Sequence, residues 1–418
     1  MLRILVIGSG AREHALTWKF SKSKRTSALY VAPGNAGTEQ IATNVPELGA
    51  RDYDGIVRFS IENRINLVFI GPEDPLADGL ADILRNAGIP AIGPGKESAQ
   101  LEGSKAFAKQ FMRDHGIPTA RSEEFDDYDT CVRYLDRLDH RVVLKKSGLA
   151  AGKGVLESTE ITEMKSFAHS VLANDTLLVE EYLAGYEVSI FAVSDGENYL
   201  LLPPCADYKK AGEGTTGPNT GGLGSVCPVP WIEPAMLDRI KAEVIEPTFQ
   251  GLRKQSLGYK GILYFGLMIT EEGPRLLEYN VRFGDPETQV LLPLIKSDFG
   301  NLCDAIVEGT IGKFPLVVSE KSAVGVVVAS QGYPGQYRKN LPVNNLPPDS
   351  ATSQLVFHAN THRNNGGVIL TGGGRSFTAV GIGNELLQAR AEAYSAAQSV
   401  QFDGAWFRKD IGSRIFGN

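Results

Sequence analysis

Apolar and polar positions up to about residue 100 alternate between strand-like and helix-like patterns. Continuous apolar runs in "LRILVIG", "ALYVAPG" and "INLVFIGP" are typical of buried strands, whereas "AREHALTWKF" and "GLADILRNAG" have helical spacing. Short apolar strands separated by helices predict a parallel sheet covered on both faces. The loops "GSGAREH", "APGNAG" and "GPEDP" follow these strands, so we expect them at the sheet edge where ligands bind.

The pattern changes after Leu101. The segment "LEGSKAFAKQFMRDHGI" predicts one helix that Pro118 ends. A compact α+β unit follows, with strands in "RVVLKKSG", "GVLEST" and "TLLVEEYL" and a helix in "ITEMKSFAHSVLAN". Longer segments, "EVSIFAVSDGENYLLLPP" and "GILYFGLMITEEGPRLLEYNV", contain turn signals and predict antiparallel hairpins. The last part opens with the strand "SAVGVVVAS" and later contains the helix "NELLQARAEAYSAAQSV".

Composition narrows the class of protein. The 418 residues suggest about three domains. The net charge of −7 argues against a general surface for nucleic acids or anionic membranes. The four cysteines form no C-x-x-C pair, which favours reduced thiols. No apolar stretch reaches the roughly 18 residues that a spanning helix needs. We therefore expect a cytoplasmic enzyme with no nucleic-acid or membrane partner.

The first loop has the composition of an anion site. Gly8, Ser9 and Gly10 precede Arg12, and Glu13 stands where a dinucleotide fingerprint has its third glycine. Backbone N–H groups at a helix N-terminus bind anions, and the arginine adds a phosphate-matched fork. The alternative interpretation is a tight turn without a ligand.

The next two strand-end loops are expected beside the first. Glu73 is suited to accept hydrogen bonds from sugar hydroxyls or an amine. Together the three loops predict one pocket for a sugar phosphate. The candidates in the second and third loops are Pro33, Gly34, Asn35, Gly71, Pro72 and Glu73.

The segment "LLEYNVRFGDPETQ" carries the strongest single signal. In a strand, positions i and i+2 share a face, so Glu278, Asn280 and Arg282 point the same way, opposite Leu277, Tyr279, Val281 and Phe283. A carboxylate, an amide oxygen and a guanidinium suit Mg²⁺ and phosphate oxygens. The alternative is an exposed polar face.

Two further segments suit a nucleotide. "VVLKKSGLAAGKGV" places lysines beside a glycine-rich loop, a combination that binds phosphate. It is not a Walker A loop, because three residues separate Gly148 from Gly152 and because Gly154 follows Lys153. The acidic strand end at 180–187 is a weaker candidate for adenine and ribose.

These motifs, in this order, resemble the ATP-grasp superfamily and, more closely, the phosphoribosylamine–glycine ligase family. The resemblance rests on "VIGSGAREHAL", "VAPGNAGT", "GPEDPL", "QLEGSKAF", "GLAAGKGV", "TGPNTGGLGS", "EYNVRFGDPETQ" and "RKDIG", which span nearly the whole chain. Two positions depart from the family's pattern. Ser147 stands where an aspartate is common, and Asn360 stands where a glycine is usual.

The resemblance implies an α/β chain in four parts. These are an N-terminal open parallel α/β (pre-ATP-grasp) domain at 1–102, a central ATP-grasp domain at 103–118 and 187–322, a small flap domain with the glycine loop at 119–186, and a C-terminal β-rich domain at 323–418. It also implies that ATP lies between two antiparallel sheets, and that the glycine loop folds over the triphosphate.

The same resemblance implies the reaction. Glycine would be joined to 5-phosphoribosylamine through glycyl phosphate, with ATP and with Mg²⁺ or Mn²⁺ held by Glu278 and Asn280, in a monomer or weak dimer. The implied ATP-binding residues are Lys105, Lys145, Gly152, Lys153, Gly154, Glu180, Glu181, Tyr182, Leu183 and Glu187. The implied catalytic residues are Arg282, Asp207 and Lys209, and further substrate-binding residues are Asn219, Thr220, Gly221 and Asp285.

Three alternatives stay open at this point. One is another ATP-grasp carboxylate–amine ligase of purine metabolism. An NAD-dependent dehydrogenase would need an acidic residue about 20 positions after the glycines, where "SKSKRTSALYVAPGN" is basic and then apolar. A catalytically silent nucleotide-binding protein would be expected to lack Glu278, Asn280 or the lysines, all of which are present.

Overall fold

The computed structural model describes residues 1–149, 154–347 and 353–413. The first elements are β1 (Leu2–Gly8), α1 (Ala11–Ser21), β2 (Thr26–Pro33), β3 (Thr43–Asn44), α2 (Tyr53–Glu62), β4 (Leu67–Ile70), α3 (Glu73–Asp78), α4 (Leu80–Asn86) and β5 (Ala91–Ile92). The strands form a parallel sheet in the order β3-β2-β1-β4-β5. Leu5 and Ile7 enter one core, and Ile4 and Val6 enter another. This two-sided burial confirms the predicted sheet and brings its three strand-end loops to one edge.

The helix predicted to end at Pro118 is wrong in detail. Two helices replace it, α5 (Gln100–Gly103) and α6 (Lys105–Asp114). Ser104 is extended, and its Oγ accepts a hydrogen bond from the Phe107 N–H at 3.2 Å, which caps α6. The chain leaves α6 at Gly116, which has a φ of 64°. The break places the first turn of α6 against Ser147, whose backbone oxygen accepts from the Lys105 N–H at 3.0 Å.

A small antiparallel sheet with two helices forms a separate core. Its elements are β6 (Ser122–Phe125), α7 (Tyr128–Leu135), β7 (Val142–Lys146), β8 (Val155–Ser158), α8 (Ile161–Leu172) and β9 (Leu177–Glu181), with the strand order β6-β9-β7-β8. Cys131, Leu144 and Leu177 lie in its apolar interior. Gly152 and Lys153, which belong to the predicted glycine loop, lie outside the described residues.

A second antiparallel sheet, in the order β11-β10-β16-β17, faces the cavity described below. The elements of this region are β10 (Tyr186–Asp195), β11 (Tyr199–Leu201), β12 (Ala206–Asp207), β13 (Lys210–Gly212), β14 (Thr216–Asn219), β15 (Gly224–Cys227), α9 (Pro234–Ile240), α10 (Glu246–Lys254), β16 (Lys260–Thr270), β17 (Gly273–Asn280), α11 (Glu287–Leu291) and α12 (Phe299–Glu308). A π-helical turn, Lys241–Ile245, joins α9 to α10. Pro247 lies in the first turn of α10 and has no N–H to donate, so the regular helical ladder is interrupted there.

The last sheet combines strands from distant parts of the chain. The elements of the C-terminal part of the chain are β18 (Ser322–Ser330), β19 (Gln354–His358), β20 (Thr361–Arg363), β21 (Ile369–Thr371), β22 (Arg375–Gly383), α13 (Leu386–Ser399) and β23 (Ala405–Trp406). The strand order is β12-β15-β18-β22-β19, and β23 also pairs with β18. Because β12 and β15 come from the predicted central domain, the sheet extends across the predicted boundary at 322. The position of that domain boundary stays a prediction. None of the helices in the described ranges is long and apolar enough to cross a membrane.

Asn35 connects the N-terminal loops to the C-terminal sheet. Its side chain is 5% exposed. Its Nδ2 donates to the backbone oxygens of Ser9 at 2.8 Å and His358 at 2.9 Å. Its Oδ1 accepts from the N–H groups of Gly37 at 2.8 Å and Thr38 at 3.0 Å. One buried amide thus satisfies backbone groups from three segments.

We expect Asn35→Ala to lower the free energy of unfolding by about 2–4 kcal/mol, because it leaves several buried backbone groups without partners. Chemical unfolding measures this change. The matched control is Asn66→Ala, since Asn66 also bonds to backbone groups but lies at the surface. If both variants unfold like the parent and only substrate affinity falls in Asn35→Ala, the structural role is refuted.

Candidate active site

A cavity of about 320 Å³ lies where the three larger sheets and the small sheet meet. Many of the predicted site residues reach it from different elements. Those that line it are Arg12, Glu73, Lys105, Gly154, Glu180, Asp207, Lys209, Thr220, Gly221, Glu278, Asn280, Arg282 and Asp285. The fold therefore collects side chains that are more than 250 positions apart in the sequence.

Glu180 pairs with two lysines at one side of the cavity. Its Oε2 lies 2.9 Å from Lys145 Nζ, and its Oε1 lies 3.2 Å from Lys109 Nζ. All three side chains are buried. Burial lowers the pKa of Lys109 to about 8 against the opposing effect of Glu180. Burial also acts to lower the pKa of Lys145, but Glu180 and Glu278 outweigh it and raise that pKa above its usual value.

Lys105 begins α6 and faces the same space. Its Nζ lies 3.4 Å from the Gly148 backbone oxygen. Burial lowers the pKa of Lys105, while Glu278 opposes the shift and Lys145 adds to it. Lys105 and Lys145 are therefore two ammonium groups close enough to repel each other, an arrangement that a polyanion would stabilise.

Glu278, Asn280 and Arg282 lie together, as the alternation predicted. Tyr279 and Phe283 are buried. Leu277 is only half-buried, and both Leu277 and Tyr279 also line the cavity. The register shifts here, since Gly266 faces Glu278 and Leu267 faces Leu276, so Leu277 is the extra residue of a β-bulge.

Arg282 connects the strand end to two acidic side chains. It lies 3.1 Å from Glu73 Oε2 and 2.9 Å from Glu102 Oε1, and its Nη2 donates to Asn280 Oδ1 at 3.1 Å. Although burial favours the protonated acid, Arg282 and Arg12 lower the pKa of Glu73 to about 2. Burial raises the pKa of Glu102 to about 7, against the effect of Arg282.

The Glu278 carboxylate is held ionised by its surroundings. Burial acts to raise its pKa, but Lys209, Lys145 and Lys105 lower it below its usual value. Within the described residues, no three His, Cys, Asp or Glu side chains gather to hold a metal by themselves. Mg²⁺ is commonly bound by one or two carboxylates together with substrate phosphates. Glu278 and Asn280 therefore fit as the protein's share of such a site.

The first loop, residues 8–13, is stabilised by hydrogen bonds to the side chain of Glu13. Glu13 is buried, and its carboxylate accepts from the Gly10 N–H and from Arg12 Nε, each at 2.7 Å. Arg12 Nη1 donates to the Phe283 backbone oxygen at 3.1 Å. Glu13 thus supports the loop and orients Arg12, and its predicted contact with substrate stays a prediction.

Several predicted residues lie beside the cavity or away from it. Glu181 pairs with the exposed Arg121 at 2.7 Å, and Tyr182 packs under the Arg141 guanidinium. Their predicted roles with ATP stay predictions. Among the residues that the structure describes, the predicted site residues that do not line the cavity are Gly8, Ser9, Gly10, Glu13, Pro33, Gly34, Asn35, Gly71, Pro72, Lys145, Glu181, Tyr182, Leu183, Glu187 and Asn219.

Asp207 and Lys209 line the cavity beside the 219–222 loop. Lys209 Nζ donates to Glu187 Oε2 at 2.7 Å. Asp207 Oδ1 is buried without a hydrogen-bond partner. Burial and then Glu287 raise the pKa of Asp207. Thr220 Oγ1 donates to the Lys209 backbone oxygen at 2.7 Å, which holds the loop against the connection between β12 and β13.

Sequence reasoning missed four charged residues that line the cavity, Glu102, Lys109, Glu287 and Arg375. Glu102 and Glu287 stand inside motifs that were already singled out, "QLEGSKAF" and "FGDPETQ". Lys109 is on the α6 face that packs on the small sheet. Arg375 had no local signal, because it approaches from the C-terminal sheet.

The chain matches family models of phosphoribosylglycinamide synthetase over three consecutive regions. These are the N domain at 2–102, the ATP-grasp (A) domain at 103–288 and the C domain at 323–414. A protein named phosphoribosylamine–glycine ligase from Caldanaerobacter subterraneus is 41% identical over 419 residues, which cover 99% of this chain and 100% of that relative.

Other relatives differ in length. A phosphoribosylamine–glycine ligase from Vibrio cholerae is 40% identical over 99% of this chain and 98% of its own length. The trifunctional purine biosynthetic protein adenosine-3 of Drosophila melanogaster is 43% identical over 99% of this chain, but the match covers only 32% of that longer protein.

Solved structures agree with the fold. A crystal structure of phosphoribosylamine–glycine ligase from Thermotoga maritima superposes with a TM-score of 0.83 at 34% identity, covering 98% of this chain and 100% of that one. The biotin carboxylase domain of a Hydrogenobacter thermophilus 2-oxoglutarate carboxylase gives 0.74 at 16% identity, covering 97% and 92% of the two chains. This second likeness concerns the fold alone.

We expect Glu180→Gln to lower the free energy of unfolding by about 3–5 kcal/mol, because it removes the carboxylate that forms close ion pairs with the buried Lys109 and Lys145. Glu181→Gln is the matched control on the next residue. It removes only a surface pair with Arg121, so its effect should stay below about 1 kcal/mol. Thermal and chemical unfolding of both variants make the comparison, and equal losses would contradict the assigned role of Glu180.

Proposed function

The chain belongs to the phosphoribosylglycinamide synthetase family, and from this premise we propose that it is the ATP-dependent ligase that joins glycine to 5-phosphoribosylamine. The observation that carries the proposal is the cavity that Lys105, Arg282, Glu278 and Asn280 line, with Lys145 behind its wall acting on Glu278. Positive groups beside one ionised carboxylate suit a metal-bound triphosphate.

The reaction has two steps. A glycine carboxylate oxygen attacks the γ-phosphorus of ATP, which gives glycyl phosphate and ADP. The amine of 5-phosphoribosylamine then attacks the carbonyl carbon, and inorganic phosphate leaves. Activation is required because a free carboxylate does not acylate an amine at neutral pH. The products are glycinamide ribonucleotide, ADP and phosphate, as the purine-pathway names of the relatives suggest.

The lysines and Arg282 supply electrostatic stabilisation. Lys145 is fixed by Glu180, and Lys105 is fixed at the start of α6, so both charges are oriented before the nucleotide binds. Preorganised charges of this kind stabilise the charge that develops on a transferring phosphoryl group. Gly154 lines the cavity beside them and allows close approach of the backbone.

Glu278 and Asn280 would hold the metal ion, Mg²⁺ or Mn²⁺. When bound, that ion neutralises negative charge on the phosphate oxygens. The low pKa of Glu278 keeps its carboxylate ready for this role.

The ribose phosphate of the second substrate would bind at the N-terminal sheet edge. The first loop and Arg12 offer an anion site, and the ionised Glu73 offers an acceptor for hydroxyls or the amine. Asp207, Lys209 and the loop 219–222 would close over glycine. We propose the same four-part division of the chain as the resemblance implied, acting as a monomer or weak dimer in the cytoplasm.

The dehydrogenase alternative is not favoured. The family match covers the first loop, and Glu13 fills the space where a dinucleotide fingerprint has glycine. Another ATP-grasp ligase of purine metabolism would use different substrates. Measuring whether ADP release requires glycine and 5-phosphoribosylamine distinguishes it from the proposed ligase.

We expect ADP release that requires both glycine and 5-phosphoribosylamine. Because the latter decomposes, it is generated in the assay. Alanine in place of glycine should lower turnover sharply, since a site shaped for two hydrogens has no room for a methyl group. Release of ADP at the full rate without any amine would contradict the ligase function.

We expect Glu278→Gln to lower kcat by about a hundredfold or more, because it removes the charge that holds the metal and phosphates together. ADP release is measured across a Mg²⁺ titration. The control is Glu272→Gln in the turn before β17, whose side chain is 80% exposed and pairs with Arg275. Near-normal turnover of Glu278→Gln at saturating Mg²⁺ would remove Glu278 from the metal site.

A further inference from the structure

Arg375 uses only one of its nitrogens to hold the neighbouring loop. Nη1 donates to the backbone oxygens of Gly221 at 2.6 Å and Asp285 at 2.8 Å. Longer contacts from Nη1 reach the Gly222 backbone oxygen at 3.4 Å and Asp285 Oδ1 at 3.3 Å. In the part of the chain that the structure describes, Nε and Nη2 have no acceptor. The Nε–Nη2 edge is one that binds a carboxylate through two parallel hydrogen bonds.

Two carboxylates line the same cavity and have no cation within ion-pair distance among the described residues, although Lys209 and Arg375 lie near enough to oppose the raised pKa of Asp207. Glu287 is 3% exposed, and its Oε1 accepts from Ser189 Oγ at 3.0 Å, whereas no donor from the described residues reaches Oε2. Asp207 Oδ1 is buried and has no partner. Lys209, the nearest ammonium along the chain, is engaged by Glu187. A buried acceptor without a donor is costly, so Asp207 Oδ1 suits a ligand that donates N–H groups. Glu287 Oε2 offers a second open acceptor in the same cavity.

Two consecutive glycines keep both features uncovered. A Cβ on Gly221 would lie 3.1 Å from Arg375 Nη2 and 3.3 Å from Nε. A Cβ on Gly222 would lie 2.6 Å from Asp207 Oδ1. A side chain at either position would crowd the guanidinium edge or the carboxylate. The glycine pair therefore leaves access to a positive group and a negative group at the same end of the cavity.

We propose that Arg375, Asp207 and Glu287 form the amino-acid subsite. The Nε–Nη2 edge of Arg375 binds the substrate's carboxylate, and Asp207 with Glu287 binds its α-ammonium. The proposal rests on the proposed function and deepens it, because it assigns a residue to each end of the zwitterion. Arg375 and Glu287 act as specificity-determining residues for the ligation.

The subsite also explains how the two amines are told apart. An α-ammonium held by two carboxylates stays protonated and has no lone pair, so it cannot attack an acyl phosphate. The only free amine is then the one on the sugar substrate. The carboxylate end stays available for phosphorylation, since the guanidinium edge accommodates both a carboxylate and the acyl phosphate made from it.

The test separates the two ends with two small probes. Glycinamide has the ammonium group and no carboxylate, and glycolate has the carboxylate and no ammonium group. Binding of each probe and of glycine is measured by ligand-observed NMR titration, with Mg²⁺ and an unreactive ATP analogue present. The parent protein, Glu287→Gln and Arg375→Lys are compared.

We expect Glu287→Gln to weaken glycine and glycinamide about tenfold or more and to leave glycolate within about twofold. Arg375→Lys should weaken glycine and glycolate by similar factors and leave glycinamide within about twofold. Asp207→Asn should give the same pattern of binding losses as Glu287→Gln. Arg375 also holds the 219–222 loop, so a loop shift in Arg375→Lys would itself weaken binding. The Asp207 variant tests the subsite without altering Arg375. Parallel losses of both probes in every variant, or no loss, would overturn the subsite.

Matched controls come from a surface ion pair of the C-terminal region. Arg338 and Asp403 lie 2.6 Å apart and are about 70% exposed, so Arg338→Lys and Asp403→Asn should bind all three ligands like the parent. Thermal unfolding confirms that each variant is folded.

A parent protein that binds glycine as expected but releases no ADP with both substrates would refute the proposed function and not the subsite. Active protein without the probe split would refute the subsite alone.

Discussion

The structure depends on balancing charges that the cavity removes from water. Desolvating an ion costs several kcal/mol, and only a close partner offsets that cost. Glu180 serves Lys109 and Lys145, and Arg282 serves Glu73 and Glu102. In each group the partners come from different elements. The same ion pairs therefore hold the sheets together and shape the site, so the fold and the chemistry share one constraint.

The charged groups that remain without a close partner determine which ligands the cavity can bind. Lys105 faces Lys145 with no carboxylate paired to it among the described residues, which favours a polyanion on that side. Beside the 219–222 loop, Arg375 keeps an open edge while Asp207 and Glu287 form no close ion pair among the described residues. The cavity is thus positive where a triphosphate would lie and mixed where a zwitterion would lie. Specificity follows from this difference in charge along one space.

The sequence predicts those parts of the site that depend on local pattern. Apolar runs established the parallel sheet, and alternation grouped Glu278, Asn280 and Arg282. Local pattern did not reveal the β-bulge at Leu277 or the helix break at Ser104, because pairing across strands and a cap decide these. Most of the candidate site residues that lie within recognisable motifs were predicted from the sequence.

The remaining site residues were missed for a physical reason. Arg375 joins the site only because β22 pairs with β18 and thereby approaches a loop about 150 positions earlier in the chain. No periodicity reports such a contact. The same limit explains why β12 and β15 were not assigned to the C-terminal sheet, since their partner strand begins about 100 residues later.

Ser189 shows how backbone and side chain cooperate where two sheets meet. Its N–H donates to the Cys205 backbone oxygen at 2.8 Å, which joins β10 of the central sheet to the residue immediately before β12. Its Oγ donates to Glu287 and also contacts the Tyr264 hydroxyl at 3.0 Å. The residue that connects the sheets therefore also orients an acid of the proposed amino-acid subsite. A shift between these sheets would move Glu287 relative to Arg375 while leaving the Lys145–Glu180 pair intact, because that pair belongs wholly to the small sheet. The geometry of the proposed amino-acid subsite thus depends on the packing between these two sheets.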